Sequence, residues 1–167
     1  MKRKSKIEIV FADDRPVVLY GLQSWFESSD RFRVSACVRN ADKLLARLKT
    51  TSYDVIVLSC GMEGSPADDF AFLREMRAAC PATPVVVFTD GTNAHALAET
   101  QRAGAAGLVS LREGAGEFER VCERVLSGAT GIVSARIAAY RDAAVSSDAA
   151  PDYCGESMSV TQLTVRV

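Results

Sequence analysis

Apolar residues fall along this chain in two patterns. Short unbroken runs occur at Ile9-Val10-Phe11-Ala12, Val55-Ile56-Val57-Leu58 and Val85-Val86-Val87-Phe88. Between them lie longer stretches in which apolar residues return every three or four positions. A short apolar run bounded by polar residues reads as a strand buried on both faces, the condition of a parallel sheet. Ile7–Ala12, Phe32–Val38, 55–59, 85–89 and Leu108–Leu111 are therefore predicted strands. The helical stretches are marked by Val18, Leu22, Trp25 and Phe26, then Leu44, Leu45 and Leu48, then Phe70, Leu73, Met76 and Arg77. Ala94 to Ala103 is a weakly apolar helix. Phe118, Val121, Cys122, Val125 and Leu126 make a strongly amphipathic one, and Ser134 starts one more through Ile137 and Tyr140. Strand and helix alternate five times, which predicts an α/β fold with a doubly wound, five-stranded parallel sheet and right-handed crossovers.

The residues between the elements support this reading. Asp14 is expected to cap the first helix, with Pro16 in its first turn. Asn40 is expected to cap the second, and Ser65 with Asp68 the third. Cys80-Pro81 ends a helix, and Asp90-Gly91-Thr92-Asn93 is turn chemistry. Ser146 to Asp152 has the composition of a linker. Beyond it, Ser159-Val160-Thr161-Gln162 reads as a capping box, with Val160, Leu163 and Val167 at helical spacing. The predicted organisation is a basic tail at 1–6, the α/β domain at 7–128, an extra turn and helix at 129–145, a linker at 146–157 and the start of a further helical unit at 158–167.

Ligands of open α/β sheets bind at the carboxyl ends of the strands. There the sequence places Asp13 and Asp14 after the first strand, Ser59 at the end of the third and Thr89 at the end of the fourth. Two carboxylates and two hydroxyls are thus expected to converge.

These residues carry a resemblance. Ala12-Asp13-Asp14 with Pro16, Asp54-Val55-Ile56-Val57-Leu58-Ser59, Pro84-Val85-Val86-Val87-Phe88-Thr89 and Gly104-Ala105-Ala106-Gly107-Leu108-Val109-Ser110-Leu111 resemble the receiver domain of response regulators. The branch is NarL/LuxR-type and RcsB-like, over roughly residues 7 to 145. The resemblance implies a CheY-like (flavodoxin-like) receiver, and a LuxR-type helix-turn-helix domain beginning near residue 158, so that the natural chain is expected to continue past Val167. It also implies a phosphoacceptor aspartate at the end of the third strand and a phosphate-pairing lysine after the fifth. This chain has Ser59 and Leu111 at those positions, and Glu63 where the family usually has proline.

The chemistry of the family is therefore expected to be lost. A carboxylate accepts a phosphoryl group because it is already ionised and Mg²⁺ screens the incoming charge. A serine hydroxyl is neutral and needs a base. Asp13 and Asp14 alone are expected to hold Mg²⁺ weakly or not at all, because that ion demands strict octahedral oxygen coordination. Leu111 supplies no ammonium, and the one-residue offset of Arg112 turns it away from the site. With no cation, the two aspartates are expected to raise one pKa and to take hydrogen bonds from Ser59 or Thr89. The reading is a pseudo-receiver: a degenerate phosphoacceptor pocket of Asp13, Asp14, Ser59, Thr89 and Leu111. Its expected role is in a phosphorylation-independent, DNA-binding transcriptional regulator of a two-component type, acting through receiver dimerisation. The alternative is a stand-alone adaptor that heterodimerises with an intact regulator.

Composition narrows the partners. Apolar residues make up 48%, which excludes global disorder, and a net charge of −1 gives no overall electrostatic footprint for nucleic acid. No apolar run reaches membrane-spanning length and no signal-peptide pattern opens the chain, so no membrane partner and a cytoplasmic location are the expectation. The 5 cysteines are odd in number, widely spaced and lack a CxxC pair, which argues against zinc or a disulfide framework. Cys37, Cys60 and Cys122 read as small core residues. Tyr20, Trp25, Phe32 and the Ala94 to Ala103 helix are candidate dimer surfaces, with Trp25 expected in the core. Ser59 with His95 and Asp13 or Asp14 sketches a remote hydrolase triad, but no G-x-S-x-G elbow accompanies it. No enzymatic activity is expected.

Overall fold

The computed structural model describes residues 6–59 and 69–149. Their elements run β1 Ile7–Ala12, α1 Pro16–Glu27, β2 Phe32–Val38, α2 Ala41–Thr50, β3 Val55–Ser59, α3 Asp69–Ala79, β4 Val85–Thr89, α4 Ala94–Arg102, β5 Gly107–Ser110, α5 Ala115–Leu126, β6 Ile132–Val133 and α6 Ala135–Ala149. The strands form one sheet in the order β2-β1-β3-β4-β5-β6, with every neighbouring pair parallel.

Alternation along the strands builds two cores. Val10, Ala12, Ile56, Leu58, Val85, Val87 and Leu108 face α2, α3, α4 and α6, where they meet Leu44, Leu73, Met76, Leu97 and Ile137. Ile9, Phe11, Val55, Val57, Val86, Phe88 and Val109 face α1 and α5, where they meet Leu19, Leu22, Phe26, Phe118, Val121 and Val125. The central strands are buried on both faces, which is why they read as unbroken apolar runs. Phe26 stands among Phe11, Phe32 and Phe118 at centroid separations of 5.4, 5.3 and 5.8 Å.

Several boundaries differ from the expectation. Among the described residues the sheet has six strands instead of five. Gly131, at φ 69°, turns the chain so that Ile132 and Val133 pair with Gly107 and Leu108. A two-residue edge strand is too short for an alternation pattern to reveal. β5 begins at Gly107, one residue early, and leaves Leu111 outside the strand. The first helix is not capped by Asp14. Its N-cap is Arg15, with extended backbone and no capping side chain, because Pro16 at N1 holds the preceding residue extended. Asn40 does cap α2, its Oδ1 accepting from the Lys43 N–H at 2.8 Å.

At the other end, α6 continues to Ala149, into the Ser146–Ala149 stretch whose composition reads as linker. Trp25 is not a core residue: its side chain lies on the rim of α1, 41% exposed, while its neighbour Phe26 is buried. Cys37 is exposed at the end of the edge strand β2, whereas Cys122 is buried. The basic tail before Lys6, Cys60, Glu63, the expected cap at Ser65 and Asp68, and everything from residue 150 onward lie outside the described residues. Among the described residues, no helix is long and apolar enough to cross a membrane.

Candidate functional site

The strand order reverses at the neighbours β1 and β3, and their carboxyl ends deliver Asp13 and Ser59 side by side. Ala12 pairs with Leu58, so each polar residue is the next one along. Both are buried, Asp13 completely. Ser59 hydrogen-bonds the Asp13 carboxylate through its hydroxyl.

The principal partner of Asp13 is a residue that the sequence did not point to. Arg15 lies two positions on, where Pro16 forces extended backbone, and its side chain turns back over the strand end. Its Nη2 meets Asp13 Oδ2 at 2.8 Å and its Nε meets Oδ1 at 3.1 Å. The Arg15 backbone N–H also donates to Oδ1, at 2.6 Å. This is the planar two-pronged match that a guanidinium makes with a carboxylate. Both carboxylate oxygens are engaged by one residue.

Electrostatics follow from that geometry. Burial pushes the Asp13 carboxyl up, but the hydrogen bonds from the Arg15 side chain, the Arg15 backbone and Ser59, and the Arg15 charge, outweigh it and hold it below its ordinary value. Of the two aspartates expected to raise one pKa between them, Asp13 is not the one raised, because a cation from within the chain is bound to it. Asp13, Asp90 and Asp14 all act on Arg15 and raise its pKa further, the hydrogen bond to Asp13 being the largest cause. Arg15 is thus a cation set among three carboxylates at the strand ends.

The other predicted residues stand apart from this pair. The Thr89 hydroxyl accepts from the Gly91 N–H at 3.0 Å, closing the turn after β4. Leu111, half-buried, packs on the α1–α5 side of the sheet and lines an apolar groove with Val18, Leu22, Trp25 and Phe118. The Arg112 N–H donates to Ser110 Oγ, and its side chain is exposed. His95 is exposed in the first turn of α4, and the Ser59 hydroxyl is directed to Asp13, so no triad is assembled.

Mg²⁺ fits this donor set poorly. The ion prefers anionic and water oxygens in octahedral array. Here the buried carboxylate already carries a guanidinium on both oxygens, and the adjoining ligand position is a neutral hydroxyl. Among the described residues, no group of three His, Cys, Asp or Glu side chains is placed to hold a metal.

Comparison with known proteins agrees with this architecture. The profile of the family described as response regulator receiver domain matches residues 9–119. A protein described as probable transcriptional regulatory protein SgaR, from Hyphomicrobium methylovorum, is 28% identical over 130 residues, which are 78% of this chain and 59% of that protein. The chain therefore spans less than two thirds of that relative. A LuxR-family two-component response regulator from Aurantimonas sp. SI85-9A1 superposes with a TM-score of 0.76 at 22% identity, over 85% of this chain and 99% of that one. A structure of two RcsB dimers bound to two parallel DNAs superposes with a TM-score of 0.76 at 16% identity, over 83% of this chain and 69% of that one. At such identities the superpositions establish the fold.

Proposed function

The chain belongs to the response regulator receiver family, and from that premise we propose that it is an atypical member, a transcriptional regulator whose receiver works without being phosphorylated. The observation that carries this reading is the bidentate Asp13–Arg15 pair beside Ser59. In a receiver that takes phosphate, the strand-end carboxylates hold a metal and one of them is the nucleophile. Here the guanidinium neutralises the buried carboxylate. The hydroxyl at the acceptor position donates to an anion instead of being activated by a base, and Leu111 faces an apolar groove with no charge to offer. Mg²⁺ binding is accordingly weak or absent.

Activity is then set by association. Helix α1 exposes Val17, Tyr20 and Trp25, which are 82%, 74% and 41% accessible, and Trp25 lines the α1–α5 groove. Apolar side chains clustered on a helix that flanks a groove favour a protein–protein contact. We assign this face to receiver pairing, either between copies of this chain or with another response regulator. DNA contact is assigned in this reading to a domain beyond the receiver; the RcsB structure of the same fold is of dimers bound to DNA. The heterodimer of a stand-alone receiver uses the same face and lacks the DNA.

The test combines phosphodonor and DNA. The protein at its natural length is incubated with acetyl phosphate and Mg²⁺ and its intact mass recorded. The expected result is no added phosphoryl group, with salt-dependent DNA binding unaltered by the donor. Phosphoryl transfer to Ser59 or Asp13 overturns the reading.

A further inference from the structure

A second surface lies on the opposite side of the sheet from the α1 face, at its β2 edge. Residues 31–49 carry six Lys or Arg side chains against a single Asp, in a chain whose net charge is −1. Arg31 is paired with Glu123 on α5, at 2.6 Å. Arg39, Lys43 and Arg47 converge instead on one open groove of about 530 Å³, floored by Cys37, Val38 and Ala46 and closed by Thr50. All three cations are exposed and make no ion pair among the described residues.

The placement of two of them runs against local stability, while Arg47 lies in the last turn of α2, where a cation is favourable. Arg39 precedes the Asn40 cap and Lys43 lies in the first turn of α2, at the positive end of the helix dipole, where a cation is unfavourable. Guarding the β2 edge against strand addition would account for Arg39. It does not account for Lys43 in the first turn of the helix. Residues four apart stand roughly 6 Å from one another along a helix, so these side chains form a row of positive charge beside an apolar floor.

We propose that the β2–α2 groove is a docking surface for an acidic peptide segment of a partner protein, whose carboxylates meet Arg39, Lys43 and Arg47 while a small apolar side chain rests on Val38 and Ala46. The floor favours a peptide over nucleic acid. A phosphate backbone would use the charged row and leave the apolar surface exposed, whereas a segment mixing acidic and apolar residues covers both. The groove borders the strand-end site at Val38, whose carbonyl accepts from the Asp13 N–H at 3.1 Å, and borders α1 at Cys37, whose thiol meets Gln23 at 4.0 Å.

The experiment is fluorescence anisotropy on the full chain with three labelled probes: a peptide of Glu and Leu, the same peptide with each Glu replaced by Gln, and a DNA duplex of similar length. The acidic peptide is expected to bind and to be released by salt, and the Gln peptide to bind far more weakly. The triple variant R39Q/K43Q/R47Q should weaken the acidic peptide by about tenfold or more. Arg124→Gln, on the exposed side of α5, should change nothing. These are solvent-facing positions, and thermal unfolding of the triple variant checks that it folds. In the wild-type chain, amide shift changes confined to Cys37, Val38 and Ala46 report the same contact without mutation. Equal binding by the triple variant overturns the proposal. So does tighter binding of the duplex than of the peptide through the same cations, which would make the groove a nucleic-acid surface.

Discussion

Arg15 and Asp13 are two residues apart and form a closed unit: the guanidinium takes Oδ1 and Oδ2 at 3.1 and 2.8 Å, and the Arg15 backbone N–H takes Oδ1 again. Asp13 has no exposed surface while the Arg15 side chain is 47% accessible. Removing the arginine therefore leaves a buried carboxylate with Ser59 as its remaining side-chain donor. Breaking a fully buried pair costs roughly 3–5 kcal/mol. Water reaches half of this arginine, so Arg15→Ala is expected to lose about 1–3 kcal/mol in urea denaturation.

The same pair gives a pH signature. The folded-state pKa of Asp13 lies below its ordinary value of 3.8, so its contribution to stability is present above that value and is lost as pH falls through the lower folded one. Wild type and Arg15→Gln should differ in unfolding free energy at neutral pH, and their curves should converge as the acid limb is descended. A constant gap down to the lowest pH measured would mean that the arginine acts through packing instead.

Restoring the missing groups should restore the chemistry. Ser59→Asp places a second carboxylate against Asp13, which is destabilising until a cation joins them. Saturating Mg²⁺ should then raise the melting temperature of Ser59→Asp by about 5 °C through preferential binding to the folded state, and leave the wild type unmoved. The variant S59D/L111K, given acetyl phosphate and Mg²⁺, should gain a phosphoryl group on the new aspartate by peptide mapping. If the wild type responds to Mg²⁺ as Ser59→Asp does, the Asp13–Arg15 pair does not displace the metal.

The frame of this site was readable before any coordinates, and its central contact was not. The run Val55–Leu58 fixed β3 and its polar end because a strand buried on both faces tolerates no interruption. Asn40 announced α2 through a cap whose geometry is local. The meeting of Asp13 with Ser59 followed from parallel pairing of β1 and β3. Arg15 escaped because arginines beside aspartates are usually solvated, and only the extended backbone imposed by Pro16 aims this one back. Trp25 misled for a related reason: it shares helical spacing with Leu22 and Phe26, but one position's rotation carries it from the core to the groove rim. Cys37 continued an apolar strand whose last residues lie on an open edge. Charge counted over the whole chain also hid the positive β2–α2 edge.

Trp25 and Phe26 make a paired test of that rotation. Phe26 is 1% exposed among three other rings, so Phe26→Ala should cost about 3–5 kcal/mol. Trp25→Ala should cost less than about 1 kcal/mol, as surface changes do, yet weaken association measured by analytical ultracentrifugation. Because the chain has 1 Trp, its emission reports the same face directly. The maximum should shift to shorter wavelength with rising protein concentration if α1 is the pairing surface, and stay fixed if it is not.

The packing of α5 on β5 allows one more prediction. At Gly107 an added Cβ would stand 2.7 Å from Val121 Cγ1, 3.2 Å from Val125 Cγ1 and 3.3 Å from Val86 Cγ2. All three are stiff β-branched side chains in the buried core, so none can swing aside without leaving its rotamer. Gly107→Ala should therefore destabilise by about 1–3 kcal/mol through overpacking, although alanine is ordinarily the better strand residue of the two. If the strain is steric, Val121→Ala in the same chain should recover part of the loss, because it removes the nearest methyl. A double variant no more stable than the sum of the two single losses would locate the effect in the β5 backbone instead, since residues in contact are expected to couple by at least about 0.5 kcal/mol.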